Sequence, residues 1–378
     1  MLSTIAGTLL LFVTFTQSGG GGATQYLVYY LPILLLTVLV IGCNPGLPSG
    51  GARRRYIGLV VLVLLASLST PAVQYSVVLI LYSLALLSLP LWTLLQNLPT
   101  YAYYAVILNL VLYLGEVILR GQLGLPFDPT VFNYMGVDRE GVITTWGFNR
   151  YAAHHTEPGS FAINLGALSV LSLMGDRKPT TVHWIAVMTL ASTLSITAAA
   201  MAAMLTASIF LVQRMSAKKV LLFVVGVAVS CFVILQVLPL LGLLSTEFLV
   251  YRIHDRGGDD GSIYVKQVLI EDVQTRDLIS TIFGNRHEPC WHCGYSKSLG
   301  YGFYMVFNGG LLGAAALVAL AAMAIGRLGR KGLALFLVFM LMRVEFYFPQ
   351  AMMMYLAIAG LPYTKGTSEE PRRRIGLW

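Results

Sequence analysis

Charge is scarce in this sequence. Only 11% of its 378 residues are Asp, Glu, Lys or Arg, less than half of the roughly 25% usual in a soluble domain. Hydrophobic residues make up 57%, and the mean hydropathy is +0.74. That balance argues against a soluble globular domain and for one polytopic membrane domain over residues 1–378. No Lys or Arg precedes Arg53, so the apolar stretch 2–17 lacks the basic segment of a cleaved signal peptide and reads as a retained first span. Cysteine is rare as well: of the four, Cys43 and Cys231 sit in apolar runs and only Cys290 and Cys293 in a polar tract. There is no disulfide framework and no repeat of fixed period. Acidic clusters at metal-ligand spacing are missing, so neither a metal nor another cofactor is expected.

Apolar runs are plentiful. Hydropathy marks spans at 2–17, 26–43, 56–70, 75–96, 101–119, 160–174, 220–244 and 303–325. Two further runs, 183–213 and 333–361, are too long for one crossing. Short loops rich in Lys and Arg stay cytoplasmic, and this rule decides how those runs fold. With both as hairpins the chain has about 12 transmembrane helices, and 15 of the 25 basic residues face the cytoplasm: those of the clusters at 53–55, 177–178, 214–219, 327–331 and 365–374. A single span over 183–213 would force the clusters at 214–219 and 327–331 outside. The net charge of +8 is therefore a matter of topology, with no nucleic acid implied. The expected fold class is all-α, with both chain ends cytoplasmic and two large periplasmic loops at 120–158 and 245–302.

Those two loops hold five of the six His, 12 of the 17 acidic residues and nine of the basic ones. The first ends in Arg150, His154, His155 and Glu157, directly before the span that opens at Ser160. Arginine presents a planar fork suited to phosphate oxygens, and a carboxylate at a low-dielectric boundary suits general-base work. Glu157 serves equally well as a helix cap. In the second loop Arg252, Arg256 and Arg276 recur among acids. The tract 262–282 reads as an amphipathic surface helix with Ile263, Lys266, Ile270, Val273 and Asp277 on one face. The basic residues suit a pyrophosphate, and a solvated, charge-balanced face explains them as well. Cys290 and Cys293 with His287 and His292 lack the second ligand pair that zinc needs, and a local disulfide competes with metal there. Within the apolar part, Glu116 and Arg120 sit one turn apart, and Arg343 and Glu345 mark the break in the last long run; ionisable residues in such places are functional candidates.

This order of features resembles the O-antigen polymerase (Wzy) family, within a wider group that includes O-antigen ligases. The likeness rests on Arg150, then Glu157-Pro158-Gly159-Ser160-Phe161-Ala162 opening a span, and then a long second loop. That loop closes with Ile282-Phe283-Gly284-Asn285 and the glycine-rich re-entry Phe307-Asn308-Gly309-Gly310-Leu311-Leu312-Gly313. It covers residues 100–325. The resemblance implies a metal-independent glycosyltransferase of the bacterial inner membrane that joins undecaprenyl-diphosphate-linked oligosaccharide repeat units at the periplasmic face. It implies membrane lipid and a chain-length regulator as further partners. Its expected catalytic residues are Glu157, Arg150, His154 and His155, with Arg252, Arg256, Arg276, Arg120 and Arg343 on the diphosphate. Phe307-Asn308 stands where the ligase pattern has His-Asn, which weakens the ligase alternative. A transporter or flippase of lipid-linked glycans is the other alternative, but transporters keep their charges near the bilayer midplane, whereas these lie in loops.

Overall fold

The computed structural model describes residues 2–16, 23–43, 50–67, 92–132, 144–145, 148–149, 151–155, 157–175, 178–193, 195–213, 261–284, 293–346 and 348–364. Among them the chain is all-α apart from one two-residue ribbon. The helices are α1 (Leu2–Thr14), α2 (Ala23–Cys43), α3 (Gly50–Ser67), α4 (Trp92–Gly115), α5 (Pro158–Leu173), α6 (Thr181–Ser192), α7 (Ile196–Gln213), α8 (Gly261–Gln274), α9 (Leu278–Phe283), α10 (Tyr301–Leu328), α11 (Arg330–Leu341) and α12 (Pro349–Thr364). A helix satisfies its own N–H and C=O groups, so apolar sequence of this length buries itself in that form. The span expected at 220–244 lies outside the described residues.

Helix α5 is the axis. All 16 of its residues are buried, as a helix apolar on every side requires, and α4, α6, α7 and α11 pack around it. Its small residues let neighbours close in: a Cβ on Gly166 would come within 2.3 Å of Met201 Cγ on α7. Both long runs fold as hairpins. In the run 183–213 α6 ends at Ser192 and α7 begins at Ile196, and in 333–361 α11 ends at Leu341 and α12 begins at Pro349. His183, the one histidine outside the two polar loops, is structural. Its Nδ1 accepts from the Thr180 N–H at 3.1 Å and its Nε2 meets Ser172 Oγ at 2.7 Å.

Three features differ from the sequence expectation. A break was expected at 97–100, between spans 75–96 and 101–119, but α4 runs unbroken from Trp92 with Pro99 inside it. Leu94, Leu95, Leu98, Tyr101 and Ala102 are all buried there, and that packing outweighs the lost hydrogen bond. The amphipathic tract 262–282 is two helices, because Asp277 accepts from the Ser280 N–H at 2.7 Å and starts α9 afresh. Its buried face is Val265 and Leu269 against Phe307; of the residues expected to share one face, Ile270 and Asp277 are exposed and Lys266 and Val273 half-buried. Finally, α10 is bent at Gly310 (φ 54°, ψ −136°) so sharply that a Cβ on Gly313 would lie 1.9 Å from the Met305 carbonyl oxygen.

Among the described residues two helices are long and apolar enough to cross a membrane, Leu94–Gln122 and Tyr301–Gly326. The bundle nonetheless has two distinct ends. The end of α1 and the starts of α5, α7 and α12 share one end, joined by bonds described below. At the other, Lys331 Nζ donates to the Gly175 carbonyl, which gathers Lys178, Arg330 and Lys331 together.

Glycine is required at the α10 bend, because a Cβ on Gly310 would sit 2.5 Å from the Thr281 carbonyl oxygen and 2.6 Å from the Gly284 nitrogen. Gly310→Ala is expected to destabilise the fold by on the order of 3 kcal/mol. Gly326→Ala, whose new methyl meets nothing within 4 Å beyond its own helix, serves as the control and is expected to keep the stability or raise it by up to about 1 kcal/mol. Thermal unfolding of the detergent-solubilised chain checks both, and equal midpoints would refute the bend.

Candidate functional site

The site is built at the end of α4. There the helix widens into a π-helical turn, Glu116–Gln122, a rare form that is frequent at functional sites. The first residue of that turn is Glu116, which has no exposed surface. Its Oε2 accepts the main-chain N–H of Ala152 at 3.2 Å and of Ala153 at 2.8 Å, and its Oε1 lies 3.9 Å from Arg120 Nη1. Sequence alone pairs Glu116 only with Arg120. Its larger task, holding the end of the first polar loop, is carried by main-chain donors that leave no signature in residue identity.

The held segment is tightly fixed. Ala153 has φ 51°, a left-handed conformation that a residue with a Cβ rarely adopts. Tyr151 lies across Gly121, where a Cβ would come within 2.0 Å of its hydroxyl. The chain then drops inward, so that His154 and His155 are fully buried with ring centroids 4.2 Å apart. Phe12 stacks on His154 at 4.3 Å, and Phe161 lies 5.7 Å from His155. Thr16 Oγ1 meets His154 Nε2 at 3.2 Å, and Asn164 Nδ2 approaches His155 Nδ1 at 3.4 Å. Gln350 on α12 donates to the Thr16 carbonyl at 3.2 Å. The two histidines therefore sit in the packed interior, joining α1, α5 and α12, where the sequence suggests loop residues.

Glu157 comes next and is open. It occupies the position before α5, but its side chain caps no backbone N–H. Its Oε1 instead accepts from Ser160 Oγ at 3.1 Å and lies 3.3 Å from Arg343 Nη1. The other arm of Arg343, Nη2, donates to Thr197 Oγ1 at the start of α7. Residues 186 apart in sequence are thus brought together, with side chains 46% and 27% exposed for Glu157 and Arg343. Gly159 keeps the flank of the pair clear: a Cβ there would stand 3.4 Å from Glu157 Oε1 and 3.5 Å from Arg343 Nη1. The arrangement offers a carboxylate able to accept a proton and a guanidinium able to hold an anion, side by side and reachable.

The second polar loop reaches the bundle through α8 and α9. Arg276, between them, lies 4.5 Å over the Phe307 ring, and its shielded Nε and Nη2 meet no hydrogen-bond partner among the described residues. Burial holds its pKa below the usual arginine range, with Asp272 opposing. At the end of this loop Lys297 Nζ lies 2.5 Å from Glu345 Oε1, a pairing that no local spacing announces. Arg150, Arg252 and Arg256 lie outside the described residues, as do His287 and His292. The ribbon Thr144–Thr145 with Phe148–Asn149, paired antiparallel, ends one residue before Arg150. Among the described residues no group of three or more His, Cys, Asp or Glu is placed to hold a metal ion.

No family model, curated protein or solved structure matches this chain. Its chemistry therefore has to be argued from the residues themselves.

If Glu116 fixes the loop end, Glu116→Ala leaves two buried N–H groups without an acceptor and destabilises the segment by about 2–4 kcal/mol, while Glu116→Gln, which keeps one acceptor oxygen, loses less. Hydrogen exchange of a peptide covering 151–157 should rise in that order. Unchanged protection in Glu116→Ala would remove the anchor role.

Proposed function

We propose that this chain is a polysaccharide polymerase of the bacterial inner membrane, a glycosyltransferase that joins undecaprenyl-diphosphate-linked oligosaccharide repeat units at the periplasmic face. In this proposal it has about 12 transmembrane helices, and the loops at 120–158 and 245–302 are periplasmic. The observation that carries the reading is the Glu157–Arg343 pair. It sets a base candidate beside an anion-binding group at one end of an apolar bundle, while Lys178, Arg330 and Lys331 gather at the opposite end. That partition supports the proposed orientation, with the site outside and the cations inside.

The reaction breaks the bond between the donor sugar's anomeric carbon and a diphosphate oxygen, and forms one from that carbon to an acceptor hydroxyl oxygen. The electron pair of the broken bond leaves on the diphosphate, which needs cations. Arg150 is proposed as the main one, with Arg343, Arg276, Arg252 and Arg256 in support. The hydroxyl proton goes to the base. Glu157 is favoured over His154 and His155 because its carboxylate is open, whereas both imidazoles are enclosed between Phe12 and Phe161. The pairing also suggests an order of events. A phosphate that engages Arg343 loosens its hold on Glu157, so donor binding frees the base. No metal takes part in this scheme.

Complementation of a polymerase-null strain tests the reading, with long glycan ladders expected to return. Glu157→Gln should lower polymer formation by about 10²-fold or more at normal protein abundance. Arg150→Ala should abolish it, and Arg150→Lys should restore little because the bidentate fork is lost. EDTA should leave the purified enzyme unaffected; activity lost to EDTA and restored by a divalent cation would point to metal catalysis. Topology is checked separately: reporters fused at Gly141 and Gly258 should be active only in the periplasmic format, and cytoplasmic activity at either position would overturn the orientation.

A further inference from the structure

The linker between α11 and α12 is more than a turn. Met342 has φ −65° and ψ 134°, an extended conformation, and burial alternates along it: Met342, Val344 and Phe346 are buried, Arg343 and Glu345 half-buried. In extended chain alternate side chains share a face, so Arg343 and Glu345 project to the same partly open side, with Cα atoms about 7 Å apart at about 3.3 Å rise per residue. Each is engaged from a different direction. Arg343 meets Glu157 at the start of α5, and Glu345 meets Lys297, on the turn that closes the second polar loop. Lys297 Nζ also lies 5.3 Å from the Phe348 ring. The result is a row of alternating charge, Lys297, Glu345, Arg343, Glu157, along one face of the strap.

We infer that Lys297 is a second anion-binding cation of the Arg343 site, and that Glu345 is the counter-ion from which an entering phosphate group displaces it. The inference rests on the proposed lipid-diphosphate donor and names the group that would take its second phosphate. Lys297 and Arg343 are each held by one carboxylate, and each remains partly exposed, at 37% and 27%. A half-exposed ion pair is worth little to stability, so exchanging a carboxylate for one singly charged phosphate group of the diphosphate is a small structural change. A lysine ammonium suits this task, being a compact charge on a flexible stem that moves between partners. A purely structural bridge between loop and strap would be lost equally whichever partner is removed, and the test turns on that difference.

The experiment uses the full chain in detergent, with inorganic pyrophosphate as the probe and sulfate at equal ionic strength as the control, read as thermal stabilisation and as a fitted dissociation constant. Wild type should be stabilised by pyrophosphate more than by sulfate. Lys297→Gln should weaken pyrophosphate binding about tenfold while keeping its ligand-free midpoint close to that of wild type. Glu345→Gln should tighten it, because the freed ammonium no longer competes with a carboxylate. The opposite signs are decisive: if both variants weaken binding equally, or if Lys297→Gln leaves it unchanged, Lys297 is a structural bridge and the inference fails. No preference for pyrophosphate over sulfate in wild type overturns it as well. None of these readouts involves glycan transfer, so a negative result here leaves the polymerase reading to its own ladder assay, and loss of that reading leaves pyrophosphate binding to be judged on its own.

Discussion

A carboxylate with no exposed surface must be compensated where it lies, because an uncompensated buried charge costs several kcal/mol. Glu116 meets that requirement with two successive main-chain N–H groups and one arginine. The geometry this imposes propagates. Holding Ala152 and Ala153 to one oxygen places Ala153 in the left-handed region, turns the chain inward and delivers His154 and His155 between Phe12 and Phe161. It also fixes where the chain emerges, at Glu157, and so the point at which Arg343 has to arrive. The remaining polar contacts at this end, from Thr16 to Gln350 and from Arg343 to Thr197, join helices far apart in sequence around that segment.

The sequence made the helical class legible because the hydrophobic runs are long and uninterrupted. The runs 183–213 and 333–361 are each two helices, as expected from runs too long for one crossing. Local signals fared worse where packing opposed them. Pro99 reads as a break but lies within α4, held by buried Leu95 and Leu98. In the 262–282 tract the apolar positions do not single out one face: Val265 and Leu269 are buried where Ile270 is not, and Asp277 starts a separate helix beyond them.

At the site, residue types were legible and their roles only partly so. Glu157 and Arg343 were both picked out, one from its place before a span and the other as a charge in an apolar run, and the structure joins them. The histidines carried the right chemistry for a base, yet their depth follows from a tertiary anchor, Glu116, whose partners are peptide N–H groups. Lys297 gave no signal, because its partner lies 48 residues on in a segment that only the fold brings near.

At two points the contact between α9 and α10 is main chain against main chain. Gly284, at φ 80°, lies against the carbonyl of Asn308, and Gly310 lies against Thr281 and Gly284. Such a joint asks nothing of the side chains around it except that two positions carry none. The seat of α9 on α10 therefore tolerates exchange of the residues around it, whereas a Cβ added at Gly284 or Gly310 would push the two helices apart.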